Sequence, residues 1–507
     1  MFRHIAYNVN YSAMKIPKTL YYIMILTFFV RAIPLLIWQD WPCIRDECTY
    51  LRIADRMVHG EGMTASAGWL WAPGYPTFVA LHQWIFGHGG FVKGTQIILS
   101  VAIVYLLYLV AFRTWTGILG GVESSQNSEE SEGDDISEIA SKIALFSAFL
   151  YACSPTQIFF ADSLWSECIY GGLLLLIIHF FQKFVDTKII RYLVYIGIGA
   201  GICVLFRGVA TYMIPIFLFA LLWKQWTDRE AYRHAAIVGL VALLTVLPYS
   251  TYISQKFDRV IISDRTLGQM MWLGNNDFLP VTFDSGNGQL SGTYFSTHTK
   301  IGRKPCGSKN NPMKREDCQT KNGKNWILEH PTEFVSRMPL RVAQMLNPHS
   351  FLTRHLRAGY WRGIPQWADE IVIVWNVVWN LFVLIGGSTL MLFRAKGQQG
   401  ILLGGILIYH VAAISALAGL TRYRVPLEPI LMIYAGGWFG YFVLTNTNTK
   451  YQDGHIMTRM EKLDVITKIK ISSHPNWKHY LNFCILLVLL FEIFWFFPMG
   501  WPWWRFW

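Results

Sequence analysis

The chain has 507 residues, of which 53% are hydrophobic, 16% aromatic and only 15% charged; soluble domains usually carry about 25% charged residues. Apolar runs recur from residue 20 to residue 497, and about 20 apolar residues cross the hydrocarbon core, which sets aside a large soluble helical protein. The formal charge of +12 belongs in cytoplasmic loops rather than on a nucleic-acid surface, since no basic stripe with interleaved aromatics is present.

About eleven spans are expected, near residues 20–38, 95–113, 143–160, 166–181, 192–206, 209–223, 235–253, 371–393, 401–419, 426–444 and 480–497. The first follows Lys15 and Lys18 without a small-residue cleavage site, so it reads as a retained signal anchor. Lys183, Lys188 and Arg191, then Lys224, Arg229 and Arg233, then Arg394 and Lys396, all fall in short loops, and the 445–479 segment is also basic. A cytoplasmic N-terminus places all of them inside. The acidic, Ser-rich residues 121–138 read as a disordered tether without chemistry.

Three divisions follow: an N-terminal membrane module (1–253) with a first outer loop (39–94), an outer subdomain (254–370), and C-terminal spans (371–507). Cys306 and Cys318 are candidates for an outer disulfide; Cys43 and Cys48 are either a second pair or two free thiols. The outer segments hold no Asn-x-Ser/Thr acceptor, a lean towards a bacterial inner membrane.

The polar residues at the outer rim need an explanation. Asp46 and Glu47 open a stretch in which Tyr50, Ile53, Ala54, Met57 and Val58 recur at helical spacing, the pattern of an interfacial helix. Asp162 and Glu167 stand in a very short outer hairpin, where acids cost several kcal/mol unless paired. Arg207, Arg422 and Arg424 lie at outer span junctions. Either a phosphate or the outer acids themselves would satisfy such arginines, and the residues alone do not choose. Arg31, inside the first span, must face the bundle interior.

Carboxylates facing arginines on the outer side suit an anionic lipid-linked substrate. A carboxylate can take a proton from an acceptor hydroxyl or amine, and arginines, with a divalent cation if acids hold one, can stabilise a phosphate leaving group. An outer site has no access to cytoplasmic nucleotide sugars, so the donor must arrive through the bilayer.

Four stretches resemble the GT-C superfamily of membrane glycosyltransferases, in the branch of protein O-mannosyltransferases and lipid A aminoarabinose transferases. Residues 45–54 (RDECTYLRIA) resemble the first-loop Asp-Glu motif, and 71–76 (WAPGYP) a Pro-Pro-Gly-Tyr-Pro stretch. Residues 273–276 (LGNN) resemble a Gly-Asn-Asn motif, and 421–426 (TRYRVP) an Arg-Tyr/Phe-Arg-x-Pro motif. Their order and spacing agree over residues 20–445.

The resemblance implies an all-α polytopic GT-C fold with a small mixed outer domain. It makes Asp46 the catalytic base with Glu47 beside it. Arg207, Arg422, Arg424 and Tyr75 would hold the donor phosphate, and Asp162 and Glu167 would shape the site or bind a divalent cation, Mg2+ or Mn2+. The expected activity is transfer of one sugar, a hexose or pentose, from a polyprenyl-phosphate donor to an extracytoplasmic glycan, lipid or protein, with inversion. Where aminoarabinose transferases carry Glu-Lys-Pro-Pro, this chain has Trp71-Ala72-Pro73-Gly74, which argues for a neutral sugar. A transporter or flippase is the alternative, although no internal repeat is evident; a non-catalytic glycan-binding subunit would tolerate loss of Asp46.

Overall fold

The computed structural model describes residues 16–37, 43, 46–63, 70–123, 130–278, 306, 312–349, 351–357, 365–395 and 397–446. The expected span at 480–497, most of the basic 445–479 segment and most of 279–311 lie outside the described residues.

Eighteen α-helices occur among the described residues. The first ten are α1 (Lys18–Ile37), α2 (Asp46–Val58), α3 (Gly74–Phe86), α4 (Val92–Glu123), α5 (Glu130–Ala152), α6 (Pro155–Ala161), α7 (Glu167–Thr187), α8 (Arg191–Phe206), α9 (Ile214–Leu222) and α10 (Arg229–Phe257). Residues 254–370 add α11 (Leu267–Gly274), α12 (Pro312–Glu329), α13 (Pro331–Leu346) and α14 (Phe351–Arg357). The chain then returns through α15 (Gln366–Leu381), α16 (Gly387–Arg394), α17 (Gly397–Ala416) and α18 (Glu428–Asn446). The described part of residues 254–370, expected to be a mixed outer subdomain, is helical and without a strand.

Six helices are long and apolar enough to cross a membrane, or seven if the bent pair α5–α6 is one span. Every expected span up to residue 444 falls on a helix or a pair of helices, and where these are shorter than a full span the cause is local. α8 stops at Arg207, whose backbone turns extended, and a 3-10 turn (Gly208–Met213) separates it from α9, leaving two shorter apolar helices. The expected span at 426–444 corresponds to α18, which a second 3-10 turn (Thr421–Leu427) precedes.

The membrane core is one apolar cluster drawn from α1, α4, α5, α7, α8, α9, α10, α16, α17 and α18. α5 packs on α4 and α18, and α8 on α7 and α10. Between α5 and α6 the chain bends by 58°. Pro155 begins α6, and the Ser154 side chain caps it by accepting from the Gln157 N–H at 3.3 Å. Residues at such a break leave carbonyls without helical donors. Arg31 supplies them: fully buried, it donates to Tyr151 O at 3.1 Å and Ala152 O at 2.9 Å. Arg31 thus faces the interior, as its place in a span requires.

Residues 274–276 form a joint. Arg341 on α13 donates to Gly274 O, to Asn275 Oδ1 and to Ser415 O near the end of α17. Asn275 in turn donates to Ala416 O at 3.2 Å. Gly274 packs so tightly that an added Cβ would fall on the Leu417 carbonyl oxygen. This joint sets where the chain leaves α17 for the 421–427 turn. Gly274→Ala should therefore lower stability by about 2 kcal/mol, measured as a fall in the unfolding temperature of the purified protein; an unchanged transition would remove the tight contact.

Candidate active site

The site is built on a turn between α6 and α7. α6 ends at Ala161, with Asp162 as its cap, and α7 starts at Glu167, so residues 162–166 alone join the two helices. Buried Gln96 on α4 pins this turn by donating to Ala161 O at 3.0 Å and Ser163 O at 2.7 Å. Tyr75, fully buried on α3, donates its hydroxyl to Gln96 Oε1 at 2.9 Å. From α2, Glu47 accepts the Leu164 N–H at 2.8 Å. Three elements thus fix one five-residue turn, and with it the position of Glu167.

Two guanidinium groups meet that carboxylate. Arg207, where α8 ends, lies 3.2 Å from Glu167 Oε1, and Arg422 in the 421–427 turn lies 3.9 Å from the same oxygen. Arg422 also donates to Asp46 Oδ2 at 2.7 Å, a contact 376 positions apart in sequence. The four charges form a continuous chain, Asp46–Arg422–Glu167–Arg207. Their exposure is graded: the Glu167 side chain is 1% exposed, Arg422 13%, Arg207 15% and Asp46 24%. The arginines and one carboxylate therefore stay reachable from outside while Glu167 forms the floor.

Aromatic faces wall the cluster. Arg422 lies over Trp165 at 4.8 Å and Tyr423 at 5.3 Å; Arg207 lies near Tyr170 at 5.7 Å and Tyr423 at 5.8 Å. Such faces favour a cation from which water has been removed. Burial alone would lower the Arg422 pKa, but Asp46, with Tyr423 and Glu167, holds it well above the ordinary guanidinium value. Tyr50 packs edge-on against Trp71 and Tyr75, and its hydroxyl is pushed up by burial and then by the charges of Asp46 and Glu167.

The structure thus brings Asp46, Glu167, Arg207 and Arg422 together, with Glu47 beside them as a brace. It sends Arg424 elsewhere. Fully buried, Arg424 pairs with Glu428 at 3.0 Å and donates to Met345 O and Asn347 O, tying the turn to the end of α13. Tyr75 acts at one remove through Gln96. Asp162 is fully buried, and neither carboxylate oxygen has a hydrogen-bond partner among the described residues. Burial pushes its carboxyl well above the usual carboxylate range, which Arg31 and Lys93 partly oppose.

A divalent cation does not fit this cluster. Glu167 already faces two guanidinium groups and Asp46 one, so an added cation would meet fixed positive charge. Among the described residues no three His, Cys, Asp or Glu side chains converge. The arrangement suits an anion instead, lodged between Arg207 and Arg422.

Asp264 is a residue that no motif pointed to. It accepts the Gly208 N–H at 3.3 Å and the Thr266 hydroxyl at 3.2 Å. A Cβ at position 208 would collide with its carboxylate, so the contact needs glycine immediately after Arg207. Burial raises the Asp264 carboxyl to about 6, against the lowering effect of these hydrogen bonds and of Arg207. Only the dipeptide Arg207-Gly208 hinted at it, because the partner acid lies 56 positions away.

Residues 138–252 match the family model of dolichyl-phosphate-mannose-protein mannosyltransferases. The match spans Asp162, Glu167 and Arg207 and lies outside all four motif stretches, so it agrees independently with the GT-C resemblance. No curated protein sequence matches significantly. Among solved structures, the oligosaccharyltransferase AglB from Archaeoglobus fulgidus, in complex with an inhibitory peptide and a dolichol-phosphate, is 13% identical with a TM-score of 0.45. The similarity covers 94% of this chain and 54% of AglB, so the chain spans about half the length of that protein. ArnT from Cupriavidus metallidurans bound to undecaprenyl phosphate is 11% identical with a TM-score of 0.39, covering 84% of this chain and 78% of ArnT.

If Asp264 fixes the backbone that carries Arg207, Asp264→Asn should weaken anion binding by roughly 1 kcal/mol, about fivefold in affinity. Titration of the purified protein with a polyprenyl phosphate measures it. For the wild type, affinity should fall as pH drops through about 6, because the protonated carboxyl accepts the Gly208 N–H less well. A pH profile unchanged by Asp264→Asn would reject the role.

Proposed function

We propose that the chain is an integral membrane glycosyltransferase that moves one sugar from a polyprenyl-phosphate donor to an acceptor outside the cytoplasm. What carries this reading is the pair Arg207 and Arg422, largely buried yet reachable, with Asp46 against Arg422. Two guanidinium groups can take the phosphate of the donor, and the carboxylate next to them can take a proton. The family match over 138–252, which contains part of the same site, supports it.

In this mechanism the donor phosphate lies between Arg207 and Arg422, with Glu167 holding both guanidinium groups in place from below. The acceptor hydroxyl or amine attacks the anomeric carbon from the side opposite the phosphate. As the new bond forms, the anomeric C–O bond breaks and its electron pair leaves on the polyprenyl phosphate. The acceptor proton passes to the Asp46 carboxylate, and the configuration inverts. Arg207 and Arg422 stabilise the negative charge that develops on the leaving group. Glu47 and Tyr75 act on the frame, Glu47 through Leu164 and Tyr75 through Gln96. The Lys and Arg of the short loops support a site on the extracytoplasmic side of a bacterial plasma membrane.

Asp46→Asn should lower the transfer rate by about 10³-fold while leaving expression intact, given what a positioned base contributes. The assay incubates purified protein with a panel of polyprenyl-phosphate sugars and follows the released lipid phosphate. Near-normal transfer by the variant would reject the base. Arg422→Ala should raise the apparent donor requirement by about tenfold or more, and unchanged donor dependence would reject the phosphate contact. Chelator treatment should leave the rate unchanged; loss of activity that added Mg2+ or Mn2+ restores would place a metal in the site.

A further inference from the structure

A disulfide joins Cys43 to Cys48, with their Cα atoms 5.0 Å apart. Cys48 is the third residue of α2 and Cys43 lies three positions ahead of the helix, so the cross-link spans Asp46 and Glu47. These acids are the first two residues of α2. Helix ends fray because the first turn's N–H groups lack intrahelical acceptors. Yet each acid must meet a partner far away in sequence: Asp46 the Arg422 guanidinium, Glu47 the Leu164 N–H. A loosened first turn would release both contacts together.

The second disulfide, Cys306–Cys318, belongs to the outer subdomain, and its Cys306 is buried. Cys43 is exposed. Thiol–disulfide exchange needs a thiolate to reach a sulfur atom, so accessibility separates the two bonds chemically.

We propose that Cys43 and Cys48, as a disulfide, are positioning residues for Asp46, so that a dithiol reaching the outer face reversibly slows sugar transfer. The reactivity follows from accessibility and the consequence from the placement of Asp46; the effect on transfer rests on the function proposed above. In the opening step one thiolate of the dithiol attacks the Cys43 Sγ. The S–S bond breaks, and Cys48 leaves as a thiolate that takes up a proton. The second thiol of the reagent then displaces Cys43 from the mixed disulfide. Two electrons pass from the dithiol, which becomes a cyclic disulfide, and Cys43 and Cys48 end as thiols. A small-molecule disulfide reverses the exchange.

The test uses the full-length protein in lipid nanodiscs with dithiothreitol as the dithiol. It compares the wild type with the double variants C43S/C48S and C306S/C318S. Two quantities are read: transfer kinetics, and hydrogen–deuterium exchange of peptides covering residues 46–50. C43S/C48S should lower kcat by about tenfold or more through misplacement of the base. Its donor KM and its affinity for polyprenyl phosphate should change by less than about twofold, with kcat counted per polyprenyl-phosphate-binding site so that a misfolded, non-binding fraction does not enter it. Dithiothreitol should bring the wild type and C306S/C318S to the same low rate, restored by oxidation, and leave C43S/C48S unaffected. Exchange at 46–50 should quicken whenever the bond is open.

Unchanged exchange at 46–50, or a wild-type kcat in C43S/C48S, would overturn the proposal. So would inhibition by dithiothreitol that persists in C43S/C48S and vanishes in C306S/C318S. If the wild type transfers no sugar from any polyprenyl-phosphate donor, the functional reading fails instead, and the exchange measurement still decides the positioning.

Discussion

Four charges close together under a layer of aromatic rings persist only because they neutralise one another. Removing one member of a half-buried ion pair leaves its partner with an uncompensated desolvation cost of a few kcal/mol. Arg422 is the hub: it holds Asp46 with one nitrogen and approaches Glu167 with another. Through it, α2, α7 and the 421–427 turn are brought to one point, and Glu167 extends the contact to the end of α8. Every brace described around the cluster serves this meeting. Gln96 and Glu47 hold the 162–166 turn, Arg341 and Asn275 set the exit from α17, and Asp264 fixes the residue after Arg207.

The same balance explains how a resting site can be both satisfied and ready. In the proposed mechanism, a phosphate arriving between Arg207 and Arg422 adds negative charge beside two guanidinium groups. It does not require the arginines to be rebuilt, because Glu167 keeps them oriented from the buried side. Binding an anion thus alters the partners of an existing assembly without having to create one, which keeps reorganisation small.

Much of the architecture is legible in the residues, for identifiable reasons. Charges at the ends of apolar runs are costly, so Asp46, Glu167, Arg207 and Arg422 stand out against their surroundings, and loop cations order the spans. Finer distinctions need three dimensions. Arg422 and Arg424 are two positions apart and chemically identical, yet the 3-10 turn aims one at Asp46 and the other at Glu428. Tyr75 and Gln96 act through a relay that no local pattern encodes. Asp264 carries no motif, since its role depends on the close approach of Gly208. The expected spans already break at Arg207 and near Thr421; what hydropathy does not register is that the chain passes each break through a 3-10 turn.

Arg31 has a consequence for how the protein is made. A guanidinium near the middle of a lipid-exposed helix costs about 2.5–3.5 kcal/mol on insertion scales, and α1 holds one that is fully buried in the finished fold. The carbonyls that satisfy it, Tyr151 and Ala152, are about 120 residues later in the chain. At roughly 5–20 residues per second, synthesis reaches them many seconds after α1 has emerged. During that interval α1 is an incomplete membrane helix. It must remain beside the insertion machinery, or in a hydrated defect, until α5 arrives. α1 is therefore among the spans that cannot settle early, and its docking waits on α5.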